Sequence, residues 1–100
     1  MTTKITLIFD NPADPAAFEA TYAGAPDLAR ALPAVQRVES AKVWPKEDGS
    51  PTPAHRTLDL YFDTYEQASA ALEAPAAAAF FQKVAATETS FTGLFSDVES

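Results

Sequence analysis

The sequence predicts an α+β protein in which helices cover one face of a four-stranded antiparallel sheet. The prediction rests on residues 56–72, where a strand passes directly into a helix, and on strand-like runs at residues 4–9, 35–44 and 91–98. Helical segments lie between the first and second strands and between the third and fourth, which gives the order β-α-β-β-α-β. This is the ferredoxin-like split βαβ pattern, and right-handed crossovers place both helical layers on one face.

Residues 56–72 show the periodicity of a strand followed by that of a helix. The first half alternates with the period of two of a strand, because Leu58, Leu60 and Phe62 fall on one face. Asp63 or Thr64 then caps a helix by accepting a backbone N–H bond. Four apolar residues follow at spacings of three and four, the stripe of a helix: Tyr65, Ala68, Ala71 and Leu72.

The first strand is predicted at residues 4–9, where an almost unbroken apolar run indicates burial on both faces. Asp14 caps the helix that follows, with Pro15 at its first position, where a missing N–H group costs nothing. Pro26 removes a backbone donor and therefore predicts a break in this helical segment. Asp27 is predicted to cap the continuation.

The second strand, at residues 35–44, has no cleanly apolar face, which predicts an edge strand or a bulged one. Residues 45–53 are rich in turn formers and predict a long hairpin connection to the third strand. Pro75 begins a second piece of the later helical segment. Gly93 lies inside the last strand, where glycine suggests a bulge or the close approach of another group.

Composition restricts the function classes. One hundred residues fit a single domain, residues 1–100, whose core is thin because much of the 47% apolar content is alanine. The formal charge of −7 argues against binding nucleic acid or an anionic membrane. The chain has no cysteine, no apolar run of roughly 18 residues and no secretion signal. We therefore expect a soluble cytoplasmic protein.

A partner copy is expected from the predicted sheet. Helices on one face leave the other face open, yet the first strand predicts burial on both sides. A second copy is the simplest cover, giving a homodimer whose two sheets lie face to face around a closed interior.

The order and spacing of these segments resemble the EthD family of the dimeric α+β barrel superfamily, over nearly the whole chain. The matching pieces are the Asp-Asn-Pro end of the first strand at residues 10–12, Phe18 and Tyr22 behind it, the Leu-to-Pro run at 28–33, the Asp-Gly-Ser turn at 48–50, the Leu-Tyr-Phe-Asp run at 60–63, and the closing strand at 91–99.

The resemblance implies a homodimer of ferredoxin-like protomers with an apolar cavity between sheet and helices. Most members have no established reaction, and the founding member accompanies an oxidative ether-degradation system. Families on the same scaffold include cofactor-independent monooxygenases, aromatic polyketide cyclases and muconolactone isomerases. The family's first helix usually ends in a segment with a His before Pro-Leu, whereas residues 23–28 here contain no histidine. Any chemistry carried by that histidine in relatives is absent.

Asp59 and Tyr61 are the first catalytic candidates. Both should point to the same side of the central strand, into the dimer interior if Leu58 and Leu60 pack on the helices. A desolvated aspartate beside a tyrosine hydroxyl could abstract a proton from an activated carbon and stabilise the enolate. The alternative is structural, with Asp59 paired across the sheet or across the dimer to Arg37 or Arg56.

His55, the only histidine, is the third catalytic candidate because imidazole serves as acid or base near neutral pH. The alternative is a half-exposed loop histidine at the start of a strand. One histidine without cysteines offers no metal-ligand spacing, so no metal is expected. Neither a glycine-rich phosphate loop nor a nucleophile elbow is present, which predicts no nucleotide or flavin cofactor.

Four residues are candidates for contact with a ligand. Tyr22, Trp44 and Phe91 could line an apolar pocket, with Arg37 as a polar group inside it. The alternative for the aromatic residues is ordinary core packing.

Three functions remain open. The first is an EthD-like protein that holds a small apolar or aromatic molecule as an accessory to a degradative or biosynthetic pathway. The second is a cofactor-independent monooxygenase, cyclase or isomerase that uses Asp59 and Tyr61 with Arg37 or His55 as helpers. The third is a structural or interaction module with a fully packed interior. One scaffold hosts many chemistries, so the sequence leaves open whether the protein is an enzyme.

Overall fold

The computed structural model describes residues 2–99, which form four strands and four helices in the order β-α-α-β-β-α-α-β. The predicted α+β, ferredoxin-like fold is confirmed, and each predicted helical segment consists of two short helices. The strands are β1 (Thr2–Phe9), β2 (Arg37–Lys42), β3 (Arg56–Phe62) and β4 (Phe91–Val98). The helices are α1 (Pro15–Tyr22), α2 (Ala25–Arg30), α3 (Tyr65–Glu73) and α4 (Pro75–Ala86).

The sheet has the order β2-β3-β1-β4, and all neighbouring strands are antiparallel. The central pair is in a register that places Ile5 opposite Leu60. Strands β2 and β4 are the two edges, so the prediction of an edge strand for β2 is confirmed.

Local signals set most of the helix ends. Asp14 accepts a hydrogen bond from the Ala17 N–H at 3.1 Å, and Thr64 accepts one from the Gln67 N–H at 3.1 Å, as predicted. The predicted break separates α1 from α2, but Gly24, not Asp27, occupies the position before α2. The capping role of Asp27 is wrong because α2 begins at Ala25, so its N-cap lies three residues earlier than predicted and Asp27 falls inside the first turn.

The core lies between the helices and the residues of β1 and β3 that face them. Phe9, Leu58 and Phe62 are completely buried there. Phe9 packs edge-on against Phe18 and Tyr22 of α1, with ring centroids 5.6 and 5.4 Å apart. The alternation predicted for β3 therefore correctly identified its core-facing side.

Within the protomer, strand β1 is fully buried on its helix face only, and burial of its open face by a partner copy stays a prediction. Ile5 and Leu7 are 3% exposed on the helix face, whereas Lys4, Thr6 and Ile8 are only partly buried on the opposite face. On the open face, Lys4 and Thr6 interact with the Asp59 carboxylate of the neighbouring strand.

Gly93 lies in a regular part of β4, because it pairs with Leu7 in an unbroken register. The predicted bulge is therefore absent at this position. The predicted close approach is mild, since a Cβ atom there would lie 3.5 Å from Leu7 Cδ2, an ordinary contact. None of the helices between residues 2 and 99 is long and apolar enough to cross a bilayer.

Candidate functional site

A polar cluster on the helix face of the sheet is centred on Glu19 of α1. Arg56, the first residue of β3, binds the Glu19 carboxylate with two nitrogens: Nη2 lies 2.6 Å from Oε1 and Nε lies 2.7 Å from Oε2. His55 Nε2 lies 3.0 Å from the same Oε2 atom. We call Glu19, Tyr22, Ser40, His55 and Arg56 the helix-side cluster.

The charges of the cluster stabilise one another. Hydrogen bonding from Arg56 lowers the pKa of Glu19 to about 2, assisted by His55 and opposed by partial burial of the carboxylate. The same carboxylate raises the pKa of Arg56. Glu19 is therefore an ionised acceptor under all ordinary conditions, and its charge is balanced by the guanidinium.

Tyr22 closes the inner side of the cluster. Its ring is 3% exposed, and its hydroxyl lies 3.1 Å from Ser40 Oγ. The Arg56 guanidinium lies over the ring, 5.2 Å from its centroid. Burial raises the pKa of Tyr22, so the phenol stays neutral. Its place in the structure is a core position with one polar end.

His55 is held firmly from several directions. Its backbone N–H donates to the Phe9 carbonyl at 2.8 Å, and its own carbonyl accepts from the Val43 N–H at 3.0 Å. The ring meets Phe18 edge-on, with centroids 5.1 Å apart. The side chain is only 11% exposed, well below what a half-exposed loop histidine would show.

A small groove of about 160 Å³ opens beside His55, under the loop that joins β2 to β3. Hydrogen bonds hold its polar wall in place, because Asn11 Nδ2 donates to the Thr52 carbonyl at 2.6 Å and Thr52 Oγ1 donates to the Ala54 carbonyl at 2.6 Å. The other lining residues are Val43, Pro45, Pro51 and Ala54.

Asp59 lies on the opposite, open face of the sheet, where Thr6 and Lys4 are its partners. Thr6 Oγ1 donates to Asp59 Oδ1 at 2.5 Å, and Lys4 Nζ lies 3.9 Å from the same oxygen. Within the protomer, Asp59 pairs with neither Arg37 nor Arg56, and a pairing across a dimer stays a prediction. Arg56 points to the helices because it shares a face with Leu58, and Arg37 has a different carboxylate beside it.

Tyr61 shares the open face with Asp59, as predicted, but binds a third carboxylate. Its hydroxyl donates to Glu39 Oε1 at 2.8 Å. Arg37 Nε lies 3.6 Å from Glu39 Oε2, and its guanidinium lies over the Tyr61 ring at 4.3 Å. We call this set the open-face network: Lys4, Thr6, Arg37, Glu39, Asp59 and Tyr61.

The four predicted ligand contacts do not share one cavity in this structure. Tyr22 is in the core, and Arg37 is on the open face. Phe91 is 39% exposed on the edge strand β4 and packs on Phe9 at 5.7 Å. Trp44 is 86% exposed and lines a groove of about 500 Å³ together with Lys42, Val43 and Pro45.

Glu19 was not among the predicted site residues, although one feature of the sequence indicates it. Strand alternation places Arg56 on the same face as Leu58, so its guanidinium had to meet a carboxylate from a helix. Glu19 directly follows the inward-facing Phe18 and is the acidic residue that α1 offers. As to metals, no group of three or more potential ligands occurs in the part of the chain that the structure describes.

No protein-family profile matches the chain. An uncharacterised 11.0 kDa protein from Rhodococcus erythropolis, encoded in the thcB-thcC intergenic region, is 32% identical over 103 residues, covering 97% of this chain and 95% of that protein. This chain belongs to the family of the Rhodococcus protein. The match extends over nearly the full length of both chains.

Solved structures share the fold of this chain. An EthD family protein from Bacillus halodurans superimposes with a TM-score of 0.88, at 17% identity and over 99% of this chain and 100% of that one. SnoaB from Streptomyces nogalater, a cofactor-independent oxygenase, gives 0.72 at 14% identity over 99% and 94%. A dimeric ferredoxin-like protein of unknown function from Bacteroides fragilis gives 0.73 at 14% over 97% and 96%. The EthD resemblance is thereby confirmed in the fold.

Proposed function

We propose that this EthD-like protein binds a small apolar or aromatic molecule beside the loop that joins β2 to β3. The observation that carries the proposal is the exposure of Trp44, whose indole is 86% accessible although it flanks an apolar groove. A solvent-exposed indole leaves a large apolar surface in contact with water. A planar ligand stacked on the ring would bury that surface.

Two adjoining grooves strengthen the proposal. The groove beside Trp44 and the smaller one beside His55 share Val43 and Pro45 as walls. A ligand stacked on the indole would therefore reach towards a polar end at His55. Apolar walls with a few fixed polar groups are the usual composition of small-molecule sites.

The test uses Trp44 as its own reporter, since the chain contains one tryptophan. Titration with 1-naphthol, an uncharged planar aromatic molecule, should change the indole fluorescence saturably, with a dissociation constant below about 1 mM. A linear, unsaturable change up to that concentration would contradict binding at the groove.

Thermal shift measurements provide the matched controls. Naphthol should raise the melting temperature of the wild type and of Trp44→Phe, which keeps an aromatic face, but not that of Trp44→Ala. Tyr65 on α3 is also an exposed aromatic residue, but it lies away from the groove. Tyr65→Ala should therefore leave the shift in melting temperature unchanged. Equal shifts in all four proteins would place the ligand elsewhere.

We also propose that the protein is a homodimer, in the cytoplasm as the sequence suggests. Strand β4 supports this, because Phe91, Leu94 and Phe95 are 39–47% exposed on an edge strand with apolar residues on both faces. Unprotected apolar edge strands are uncommon in monomers. The Bacteroides protein with the same fold is described as dimeric.

Light scattering coupled to gel filtration tests the dimer. The expected mass is twice 10.7 kDa at micromolar concentration. Leu94→Lys, on the open face of β4, should shift the mass towards the single chain, whereas Glu66→Lys on α3 should not. A wild-type mass of one chain at all concentrations would refute the homodimer.

A further inference from the structure

We propose that His55 Nδ1, held by the Glu19 carboxylate at the other ring nitrogen, is a general base that takes a proton from a small uncharged carbon acid in the groove under the β2–β3 loop. The inference rests on the proposed function, because it concerns the polar end of the same ligand region. It assigns the chemistry to Glu19 and His55 on the helix side rather than to Asp59 and Tyr61.

The Glu19 carboxylate determines the tautomer of His55. Glu19 is ionised and accepts hydrogen bonds, so the ring nitrogen at 3.0 Å from it must carry a proton. When the ring is neutral, that proton is on Nε2 and the lone pair is on Nδ1. A carboxylate that fixes the tautomer of a histidine and stabilises the imidazolium is the arrangement used by known histidine bases.

The other ring nitrogen of His55, Nδ1, is only partly buried. Nδ1 makes no hydrogen bond to any of residues 2–99, and yet the same part of the chain contains no fully buried side-chain nitrogen or oxygen without a partner. The Nδ1 atom is therefore not fully buried, although its side chain is only 11% exposed. His55 lines the groove of about 160 Å³, and this groove is where a reactant would approach.

The His55 ring is held in one position by its neighbours. Two backbone hydrogen bonds, the edge contact with Phe18 and the Glu19 carboxylate fix the ring before any reactant arrives. Arg56 in turn fixes Glu19 through two nitrogens. A base that is already oriented loses little entropy in reaching the transition state.

The walls of the groove select the reactant class. One of the two Asn11 Nδ2 protons and the Thr52 hydroxyl proton are engaged with backbone carbonyls, so a single amide N–H of this pair remains for a ligand. Arg56 is likewise occupied by Glu19, and the whole chain has a charge of −7. An uncharged planar molecule with an acidic C–H group is therefore the class that fits.

A probe with one acidic C–H bond tests the base directly. In 5-nitrobenzisoxazole, the base takes the proton from carbon 3, the C–H electron pair becomes the third bond of a nitrile, and the N–O bond breaks to leave a coloured phenolate. The phenolate carries the charge away, and the protonated histidine returns its proton to solvent. No cofactor or oxidant is needed.

The wild type should convert the probe faster than free imidazole at equal concentration, at about pH 8, where imidazole is neutral. His55→Gln should lower the protein-dependent rate by about 100-fold. Glu19→Gln should lower it by about 10-fold, because the ring loses its orienting charge. Glu73→Gln, which removes one exposed carboxylate from α3, is the matched control and should leave the rate unchanged.

Nitrogen NMR supplies a readout that does not depend on turnover. The single histidine gives an unambiguous ¹⁵N spectrum, and the neutral ring should carry its proton on Nε2. A proton on Nδ1, a wild-type rate no higher than that of free imidazole, or a rate that His55→Gln leaves intact would overturn the proposal. Saturable naphthol binding at Trp44 in a protein that fails these tests would refute the base and leave the proposed ligand site standing.

Discussion

The two faces of the sheet use their charged residues in different ways. On the helix face, His55 and Arg56 both bind the Glu19 carboxylate. Their hydrogen bonds are 2.6–3.0 Å long, and the three side chains are 11–32% exposed. On the open face, two contacts reach Asp59 and two reach Glu39; Asp59 is 20% exposed, and Arg37 and Glu39 are 61% and 49% exposed. A shared, partly desolvated acceptor couples its partners strongly, whereas exposed pairs act almost independently.

This contrast explains why the cluster on the helix face is the better candidate for chemistry. Catalysis needs groups whose positions and protonation states are fixed by their surroundings. Glu19 meets that condition through its depressed pKa and its two bonds from Arg56. Asp59, 20% exposed on the open face, has a threonine hydroxyl and a distant lysine as partners.

The largest expected effect concerns the packing that the helix face provides. Leu60→Ala should lower the free energy of unfolding by about 2–5 kcal/mol, because Leu60 is 1% exposed in the middle of the core. Urea denaturation measures it, and Glu73→Ala on the surface of α3 should change stability by less than about 0.5 kcal/mol. Comparable values for the two variants would mean that the assignment of the faces of β3 is incorrect.

The second effect compares the two carboxylates directly. Glu19→Gln should destabilise the protein by about 1–3 kcal/mol, because charge-assisted hydrogen bonds from Arg56 are weakened and a partly buried guanidinium loses its counter-charge. Asp59→Asn should cost less than about 1 kcal/mol, since Thr6 can still donate to the amide oxygen and the lysine at 3.9 Å contributes little. Urea midpoints of the two variants decide the order, and a costlier Asp59→Asn would reverse the comparison.

The third effect is the acid sensitivity of the helix-side cluster. The pKa of Glu19 is about 2 in the folded protein against an ordinary value of 4.5, so the folded state binds its proton less readily than the unfolded state. The stabilisation is therefore fully present above about pH 4.5 and is lost as the pH falls towards 2. The stability difference between the wild type and Glu19→Gln should shrink over this range in urea titrations. A constant difference from pH 5 to pH 2 would mean that Arg56 does not hold Glu19 ionised.

The sequence was sufficient for the fold because local signals agreed with one another. The alternation of β3, the caps at Asp14 and Thr64, and the break before Pro26 depend on neighbouring residues alone. The site was harder, because the partners of Glu19 are 36 and 37 positions away in the chain. Residue types indicated His55 and Asp59 as candidates. Only the packing of β3 against α1 and its pairing with β1 show that His55 contacts Glu19 and that Asp59 contacts Thr6 and Lys4.

The smallest expected effect tests whether the open face is covered in solution. Tyr61→Phe removes the hydroxyl that donates to Glu39 at 2.8 Å and keeps the ring under the Arg37 guanidinium. At an exposed site the loss should be below about 0.5 kcal/mol, because water replaces the missing donor. If a second copy covers this face, Glu39 would lose its donor away from water, and the cost should rise with protein concentration as the dimer forms. Thermal melts of Tyr61→Phe and the wild type across a hundredfold range of concentration distinguish the two cases. A gap that widens with concentration favours a covered interior in which Asp59 and Tyr61 could act, and a constant small gap leaves His55 as the stronger candidate for a base.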